Sequence, residues 1–317
     1  MILSFILSMK IVALILAFSC LSLSAQQKAG KKKPSPFRWN NPLPARFEED
    51  RVKHGTYESK LNEATVGYNI LLPEVYQANQ EKRFPVVYLL HGGRPGSESK
   101  LLRMAGFVNE AIKKKVIPPT IYVFVNGGPV SHYDYPTPIK SMGKEVGTKG
   151  NTSFARELIP HIDQTYRTIA ERRGRVLEGY SQGGRGTLRT AFRYSELFVA
   201  ASAGSAGLAT ELRISNEGGK ESEFKQFAPG DDAYTLAKKY AAQKEKNPMK
   251  LLLYTGDTSK DFNWEGNVAY SKFLKSLGIE HEHLLIPDCG HSSFQAYMIS
   301  GEKLFKFLAP VLVAASG

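Results

Sequence analysis

The most informative stretch of this sequence is Arg175-Val176-Leu177-Glu178-Gly179-Tyr180-Ser181-Gln182-Gly183-Gly184. Its first six residues are mostly apolar and predict a buried strand, whereas apolar residues at helical spacing predict a helix from Gln182 to Ser195. The segment contains the pattern G-x-S-x-G, in which the glycines leave room for a tight turn. We therefore expect Ser181 on that turn, between strand and helix, with its hydroxyl exposed.

Predicted strands and helices alternate along most of the chain around this segment. Two antiparallel strands are expected first, near 55–60 and 65–72. Further strands are predicted at 85–90, 120–126, 175–180, 198–203, 249–255 and 282–287, and helices at 99–115, 151–169, 182–195, 231–245, 264–277 and 292–309. This alternation indicates the α/β class, with a mainly parallel central sheet and helices on both faces.

Two later segments place an acid and a base after predicted strands. The strand that ends at Gly256 is followed by Asp257 and Asp261, and the next strand is followed by His291. Because sites form beyond the carboxyl ends of parallel strands, these side chains are expected near Ser181. Histidine can take the proton of a serine hydroxyl, and a carboxylate can hold the imidazole in the required tautomer. Either aspartate could be that carboxylate.

A glycine-rich loop, His91-Gly92-Gly93-Arg94-Pro95-Gly96, follows the predicted strand 85–90. Its glycines allow a backbone N–H to point into a site without a side chain in the way. A second N–H comes from Gln182, directly after the serine. We therefore predict an oxyanion hole formed by Gly93 and Gln182.

Several segments resemble the "putative esterase" family of α/β-hydrolases, and the resemblance spans residues 50 to 310. They are Val87-Tyr88-Leu89-Leu90-His91-Gly92-Gly93, Glu157-Leu158-Ile159-Pro160-His161-Ile162-Asp163, Gly179-Tyr180-Ser181-Gln182-Gly183-Gly184, Glu196-Leu197-Phe198, Asp232-Ala233-Tyr234-Thr235-Leu236-Ala237 and Asp261-Phe262-Asn263-Trp264-Glu265-Gly266-Asn267. The family includes feruloyl and acetylxylan esterases, S-formylglutathione hydrolase, enterochelin esterases and bacterial mycolyltransferases. The resemblance implies an α/β-hydrolase fold and a serine carboxylic-ester hydrolase that needs neither cofactor nor metal.

The resemblance also favours Asp261 over Asp257 as the acid. Similar members place the acid a few residues after the strand glycine, followed by an aromatic residue and, six residues on, an asparagine. Phe262 and Asn267 match these positions. The resemblance thus implies a catalytic set of Ser181, Asp261 and His291.

Aromatic residues lie on several of the loops that follow strands. Tyr180, Trp264 and Tyr133 are candidate substrate-binding residues, since an aromatic cleft suits an aryl acyl group or a sugar face. The polar, glycine-rich insert 207–230 is predicted to be a substrate loop rather than a domain. Glu178 stands where the family usually has a small or apolar residue. It could hydrogen-bond a neighbouring loop or perturb the site.

The first residues of the chain have the composition of an export signal. Met1–Leu23 is almost continuously apolar, and Ser24-Ala25-Gln26 fits a signal-peptidase site. Residues 1–25 are therefore predicted to be a signal peptide, 26–45 a basic, proline-containing linker and 46–317 the catalytic domain. The initiator could be Met1 or Met9.

This organisation predicts an exported protein, periplasmic or secreted, without stable membrane association once the signal is removed. An uncleaved anchor and a lipoprotein modified at Cys20 are the alternatives. The only other cysteine is Cys289, so the mature chain could form no internal disulfide. No Cys/His cluster has zinc spacing.

The net charge of +12 is dispersed rather than gathered on a face interleaved with aromatics. It therefore favours solubility, or affinity for an acidic polymer, over nucleic-acid binding. With the resemblance, these features predict hydrolysis of feruloyl or acetyl esters on plant polysaccharide through an acyl-enzyme. The alternatives are an acyltransferase or an esterase for another small ester, such as a siderophore, and a non-catalytic carbohydrate-binding relic.

Overall fold

The computed structural model describes residues 36–47, 51–136, 139–141, 144–257 and 260–316. The predicted signal peptide lies outside these residues. A compact unit begins at Phe37, inside the range predicted to be a linker. Phe37 and Trp39 are buried, and Asn41 donates hydrogen bonds to the Glu98 carboxylate. The end of the predicted linker is thus part of the domain.

Eight strands of the described residues form one central sheet, and four short strands form two separate pairs. The bounds are β1 Val52–Ser59, β2 Ala64–Leu71, β3 Val86–Leu90, β4 Ile121–Val125, β5 Ile139–Ser141, β6 Lys144–Val146, β7 Arg175–Tyr180, β8 Ala200–Gly204, β9 Lys220–Ser222, β10 Lys225–Gln226, β11 Lys250–Gly256 and β12 Glu282–Ile286. The order in the large sheet is β1-β2-β4-β3-β7-β8-β11-β12. β1, β2 and β4 pair antiparallel, and all the other neighbours pair parallel.

The helices cover both faces of this sheet. Their bounds are α1 Met104–Lys113, α2 Gly150–Ser153, α3 Ile159–Thr165, α4 Gln182–Arg193, α5 Leu208–Asn216, α6 Ala233–Ala241, α7 Trp264–Ser276 and α8 Ser293–Ser316. A π-helical turn, Phe154–Leu158, joins α2 to α3. Within the described residues, no helix combines the length and the apolar character that a membrane crossing requires.

Burial on both faces explains why the central strands are continuously apolar. All five residues of β3 and all five of β4 are buried. Alternate side chains of β3 enter opposite cores: Tyr88 and Leu90 belong to one hydrophobic cluster, Val87 and Leu89 to the other. Such runs are typical of parallel strands covered by helices. The predicted α/β-hydrolase fold is confirmed.

The insert 207–230 is more ordered than the predicted loop. It contains α5 and the β9–β10 hairpin. Ile214 and Phe227 are buried with Val130 and Tyr133 in a small cluster of their own. These contacts join residues far apart in sequence, which is why the polar composition of the insert did not predict them.

Candidate active site

Ser181 lies on a sharp turn between β7 and α4, as the sequence pattern predicted. Its backbone has φ 60° and ψ −117°, a conformation that side-chain-bearing residues rarely adopt. The flanking glycines are required by contact: a Cβ on Gly179 would lie 2.5 Å from the Gly183 carbonyl oxygen, and one on Gly183 would lie 2.0 Å from that of Leu90. The turn is therefore strained and sterically closed to larger residues at both positions.

His291 and Asp261 meet Ser181 at the carboxyl edge of the sheet. His291 Nε2 lies 2.9 Å from Ser181 Oγ, and His291 Nδ1 lies 2.9 Å from Asp261 Oδ1. No hydrogen bond joins Asp257 to His291 in the described part of the chain. Of the two aspartates left open by the residues alone, the structure thus brings Asp261 to the histidine. The three side chains have the geometry of a nucleophile, a general base and the carboxylate that orients the base.

Asp261 is fully buried and held as a carboxylate by its surroundings. Burial alone would raise the pKa of Asp261. Hydrogen bonds from His291, Ser205 and the backbone N–H groups of Asn263 and Gly256 outweigh that effect and hold the pKa at about 2. Asp261 is therefore ionised throughout the neutral range.

Ser205 is a site residue that sequence analysis missed. Its hydroxyl donates to Asp261 Oδ1 at 2.7 Å and also lies 2.7 Å from His291 Nδ1. Ser205 follows β8, has a φ of 39° and is completely buried. No motif surrounds it, and its partners are 56 and 86 residues away in sequence, so only the fold reveals the contact.

The predicted oxyanion donors both adjoin the nucleophile. A Cβ on Gly92 would lie 3.0 Å from Ser181 Cβ, which places the glycine loop directly against the serine. Gly93, the next residue, has a φ of 70°, in the left-handed region that favours glycine. Gln182 is the first residue of α4, where backbone N–H groups have no acceptor inside the helix. Both N–H groups are thus available beside Ser181.

The candidate substrate residues have different environments. Tyr133 is fully buried: its hydroxyl donates to Glu211, and its ring lies 3.9 Å from that of Phe227. The prediction that Tyr133 contacts substrate is therefore corrected, because the α5 insert covers its side chain. The Tyr180 ring is buried 5.2 Å from the His291 ring, and Trp264 is half-buried at the start of α7.

Two exposed phenylalanines were not proposed as substrate residues, one beside His291 and one on the β9–β10 hairpin. The Phe262 side chain is 73% exposed, and its ring lies 4.1 Å from that of His291. Phe224 is 81% exposed at the tip of the β9–β10 hairpin, where its carbonyl accepts a hydrogen bond from the Tyr135 hydroxyl.

Ion pairs attach the β9–β10 hairpin to both sides of the nucleophile. Glu221 pairs with Arg94 of the glycine loop at 2.6 Å and with Arg185 of α4 at 2.9 Å. Burial would raise the pKa of Glu221, but the two guanidinium groups lower it to about 2. The hairpin is thus fastened beside Ser181 by buried charge.

Glu178 is buried three residues before the nucleophile. Its Oε2 has no hydrogen-bond partner among the described residues, and burial raises its pKa to about 8. Of the two interpretations left open by the sequence, the structure gives no support to a hydrogen bond with a neighbouring loop. The carboxyl is instead held neutral inside the apolar core.

The fold and the site geometry together define the class of a serine hydrolase on an α/β-hydrolase scaffold. The chain belongs to the family described as "Putative esterase", whose sequence model matches residues 59–284. It is 34% identical over 140 residues to Esterase Rv1288 of Mycobacterium tuberculosis, a match that covers 44% of this chain and 28% of that relative. The chain therefore matches less than a third of the curated relative's length.

Solved structures with the same fold include a ferulic acid esterase, at 22% identity and a TM-score of 0.64, covering 82% of this chain and 98% of that one. The S-formylglutathione hydrolase FrmB of Staphylococcus aureus has 19% identity and a TM-score of 0.61, with coverage of 81% and 98%. A ferulic acid esterase of Anaeromyces mucronatus in complex with ferulic acid has 20% identity and a TM-score of 0.63, with coverage of 83% and 91%. The predicted family is confirmed.

Proposed function

We propose that this chain hydrolyses carboxylic esters through an acyl-enzyme on Ser181. The observation that carries the proposal is the continuous hydrogen-bonded chain from Ser181 through His291 to Asp261, with both links at 2.9 Å. The ionised Asp261 keeps the proton of neutral His291 on Nδ1 and leaves Nε2 free to accept the serine proton. It then stabilises the imidazolium that forms.

The reaction proceeds in two steps, acylation of Ser181 and then hydrolysis of the acyl-enzyme. Ser181 Oγ attacks the ester carbonyl while its proton passes to His291 Nε2, and the N–H groups of Gly93 and Gln182 bind the oxyanion. The proton then goes to the leaving alcohol and the acyl-enzyme remains. Water repeats the attack with His291 as base, which releases the carboxylic acid and restores Ser181.

For the substrate we propose acyl esters, feruloyl or acetyl, carried by plant polysaccharide outside the cell. The exposed rings of Phe262 and Phe224 offer apolar faces to an aryl acyl group or to a sugar. Similar folds occur in ferulic acid esterases, one of them in complex with ferulic acid. Export is proposed on the apolar segment Met1–Leu23 and the small-residue junction after it.

A second candidate substrate is a small intracellular thioester or ester. It is favoured by the S-formylglutathione hydrolases among the similar folds, whose TM-scores of 0.61 and 0.59 are close to those of the feruloyl esterases. The same catalytic residues would also support acyl transfer if a sugar hydroxyl, instead of water, attacked the acyl-enzyme.

A side-by-side assay separates these substrates. Wild type and Ser181→Ala would be given methyl ferulate, acetylated xylan, S-formylglutathione, a siderophore ester and a long-chain aryl ester, with and without xylo-oligosaccharide acceptors. We expect the highest kcat/KM on the feruloyl or acetyl substrates and none above background in the variant. Preference for another ester, or acyl transfer exceeding hydrolysis, would overturn the substrate assignment. Equal activity of the variant would overturn the mechanism.

A further inference from the structure

The carbonyl groups of the glycine loop are held by side chains of the same part of the chain. The Lys100 ammonium donates to the Gly92 carbonyl at 3.3 Å and to the Pro95 carbonyl at 2.6 Å. His91 Nδ1 lies 3.0 Å from the same Gly92 carbonyl. Two side-chain nitrogens therefore contact the one carbonyl that precedes the Gly93 N–H.

The surroundings of His91 decide which ring nitrogen carries its proton. His91 Nε2 faces the backbone N–H groups of Gly127 at 3.1 Å and Ser97 at 3.3 Å, so it must be the acceptor. Burial lowers the pKa of His91 to about 3, and the ring is neutral at neutral pH. Its single proton is therefore on Nδ1, from which it donates to the Gly92 carbonyl.

The direction of this carbonyl determines the direction of the Gly93 N–H. Both groups belong to one planar trans peptide, in which the C=O and N–H bonds point in opposite directions. Donors that fix the carbonyl on one side therefore aim the N–H to the other side. Gly92 packs against Ser181, and no group of the described residues accepts a hydrogen bond from the Gly93 N–H.

We propose that Lys100 is a positioning residue for the oxyanion hole, acting through the Gly92 carbonyl to orient the Gly93 N–H. The inference rests on the proposed function, in which Gly93 stabilises the oxyanion formed at Ser181. The hydrogen bond to that oxyanion strengthens as charge develops in the transition state. Loss of its alignment therefore raises the barrier and leaves substrate binding unchanged.

The test compares Lys100→Met and Lys100→Arg with wild type, using p-nitrophenyl acetate and a fluorophosphonate. Lys113→Met is the matched control, since Lys113 is an exposed lysine at the end of α1. We expect Lys100→Met to lower kcat about ten- to a hundredfold, less than the loss of a whole donor, with KM within about threefold. The phosphonylation rate should fall by a similar factor, because that reaction also forms charge on an oxygen held by the oxyanion hole.

Lys100→Arg keeps the charge and the donors, so it should recover most of the lost kcat, and Lys113→Met should match wild type. A rise in KM at constant kcat would overturn the inference, because Lys100 would then contact substrate. Unchanged kinetics in Lys100→Met would also overturn it. So would equal losses in both Lys100 variants together with a lowered melting temperature, which would indicate a structural role. An inactive wild type, by contrast, would refute the proposed function itself.

Discussion

The candidate site has two parts, here called the floor and the wall, which are held in place by different kinds of contact. The floor is the group Ser181, Ser205, Asp261 and His291, whose members follow strands of one sheet and are joined by short hydrogen bonds. The wall is the β9–β10 hairpin, which is fastened to the glycine loop and to α4 through Glu221. Phe224 projects from the wall into solvent.

From this difference we expect the floor to determine catalysis and the wall to determine substrate specificity. The floor is positioned by the parallel sheet, so its geometry follows from strand order and short post-strand loops. The wall is an insert whose place depends on ion pairs between distant residues. Changes in the floor should therefore lower the turnover of every ester, whereas changes in the wall should alter the ranking of substrates.

The largest effect is expected for Ser181→Ala. The variant removes the hydroxyl oxygen that lies 2.9 Å from His291 Nε2, so kcat should fall by at least about 10⁴-fold on all esters. Initial rates on p-nitrophenyl acetate, with circular dichroism to verify folding, would measure it. A folded variant that kept a tenth of the activity would contradict the assignment of Ser181 as the nucleophile, and with it the distinction between floor and wall.

Asp261→Asn should have the next largest effect, and Asp257→Asn is its matched control. An amide cannot hold the imidazole in the working tautomer or stabilise its charge, so we expect a loss of about 10³- to 10⁴-fold. Within the described residues no hydrogen bond joins Asp257 to His291, and the Asp257→Asn variant should stay within about threefold of wild type. Similar losses in both variants, measured as kcat/KM, would reopen the choice between the two carboxylates.

Ser205→Ala should reduce kcat about tenfold, the value of one hydrogen bond to a charged group. The change removes one of the donors to Asp261 and leaves the direct bond from His291. Ser202→Ala is the control, since Ser202 is a buried serine of β8 and no hydrogen bond joins it to Asp261 or His291 in the described chain. If both serine variants behave alike, Ser205 does not contribute to catalysis.

Sequence reasoning predicted most of the floor because its signals are local. The strand patterns and G-x-S-x-G placed Ser181, and post-strand position placed His291. The residues alone could not choose between Asp257 and Asp261, because both follow β11 within a few positions. Here the resemblance favoured Asp261, which the structure brings to His291.

The wall was predicted less well because its contacts are long-range. Tyr133 was assigned to the cleft from its place after a strand, yet Glu211, 78 residues away, binds its hydroxyl inside the core. The burial of Ile214 and Phe227 against Tyr133 helps to hold the helix and the hairpin of the insert in place. The role proposed for Lys100 likewise depends on the direction of one carbonyl, which no motif encodes.

The effect of burying the Glu178 carboxyl can be tested by measuring the stability of the protein as a function of pH. Its folded pKa of about 8 exceeds an unfolded value of about 4.3, so between these values the native state binds a proton that the unfolded state has lost. The free energy of unfolding should therefore fall as pH rises through this window, by about 1 kcal/mol per pH unit. Glu178→Gln cannot titrate and should lack this slope.

The comparison is best made at pH 6.5 and 7.5 by urea unfolding of wild type and variant. His91, whose pKa is lowered to about 3 by burial, is neutral in the folded state and about half protonated at pH 6.5 in the unfolded one, but wild type and variant share this effect and it cancels in their comparison. Exposed Glu217→Gln serves as control. Parallel pH dependences of wild type and Glu178→Gln would mean that Glu178 is ionised in the folded protein.

The smallest effect is expected in the wall. Phe224→Ala should leave p-nitrophenyl acetate turnover unchanged and raise KM for a feruloylated oligosaccharide about threefold, since one exposed aromatic face is lost. Leu212→Ala, another exposed apolar residue of the insert, should change neither. Equal loss on both substrates would show that wall and floor are not separable.

The most direct test of the account is to locate the covalent adduct after labelling with a fluorophosphonate. Peptide mass spectrometry should find one modified residue, Ser181, in wild type and in Phe224→Ala. Ser181→Ala should carry no adduct, and Asp261→Asn should be labelled far more slowly, because the reagent needs an activated serine. An adduct on another serine, such as Ser205, with Ser181 unmodified would contradict the assignment of the catalytic centre.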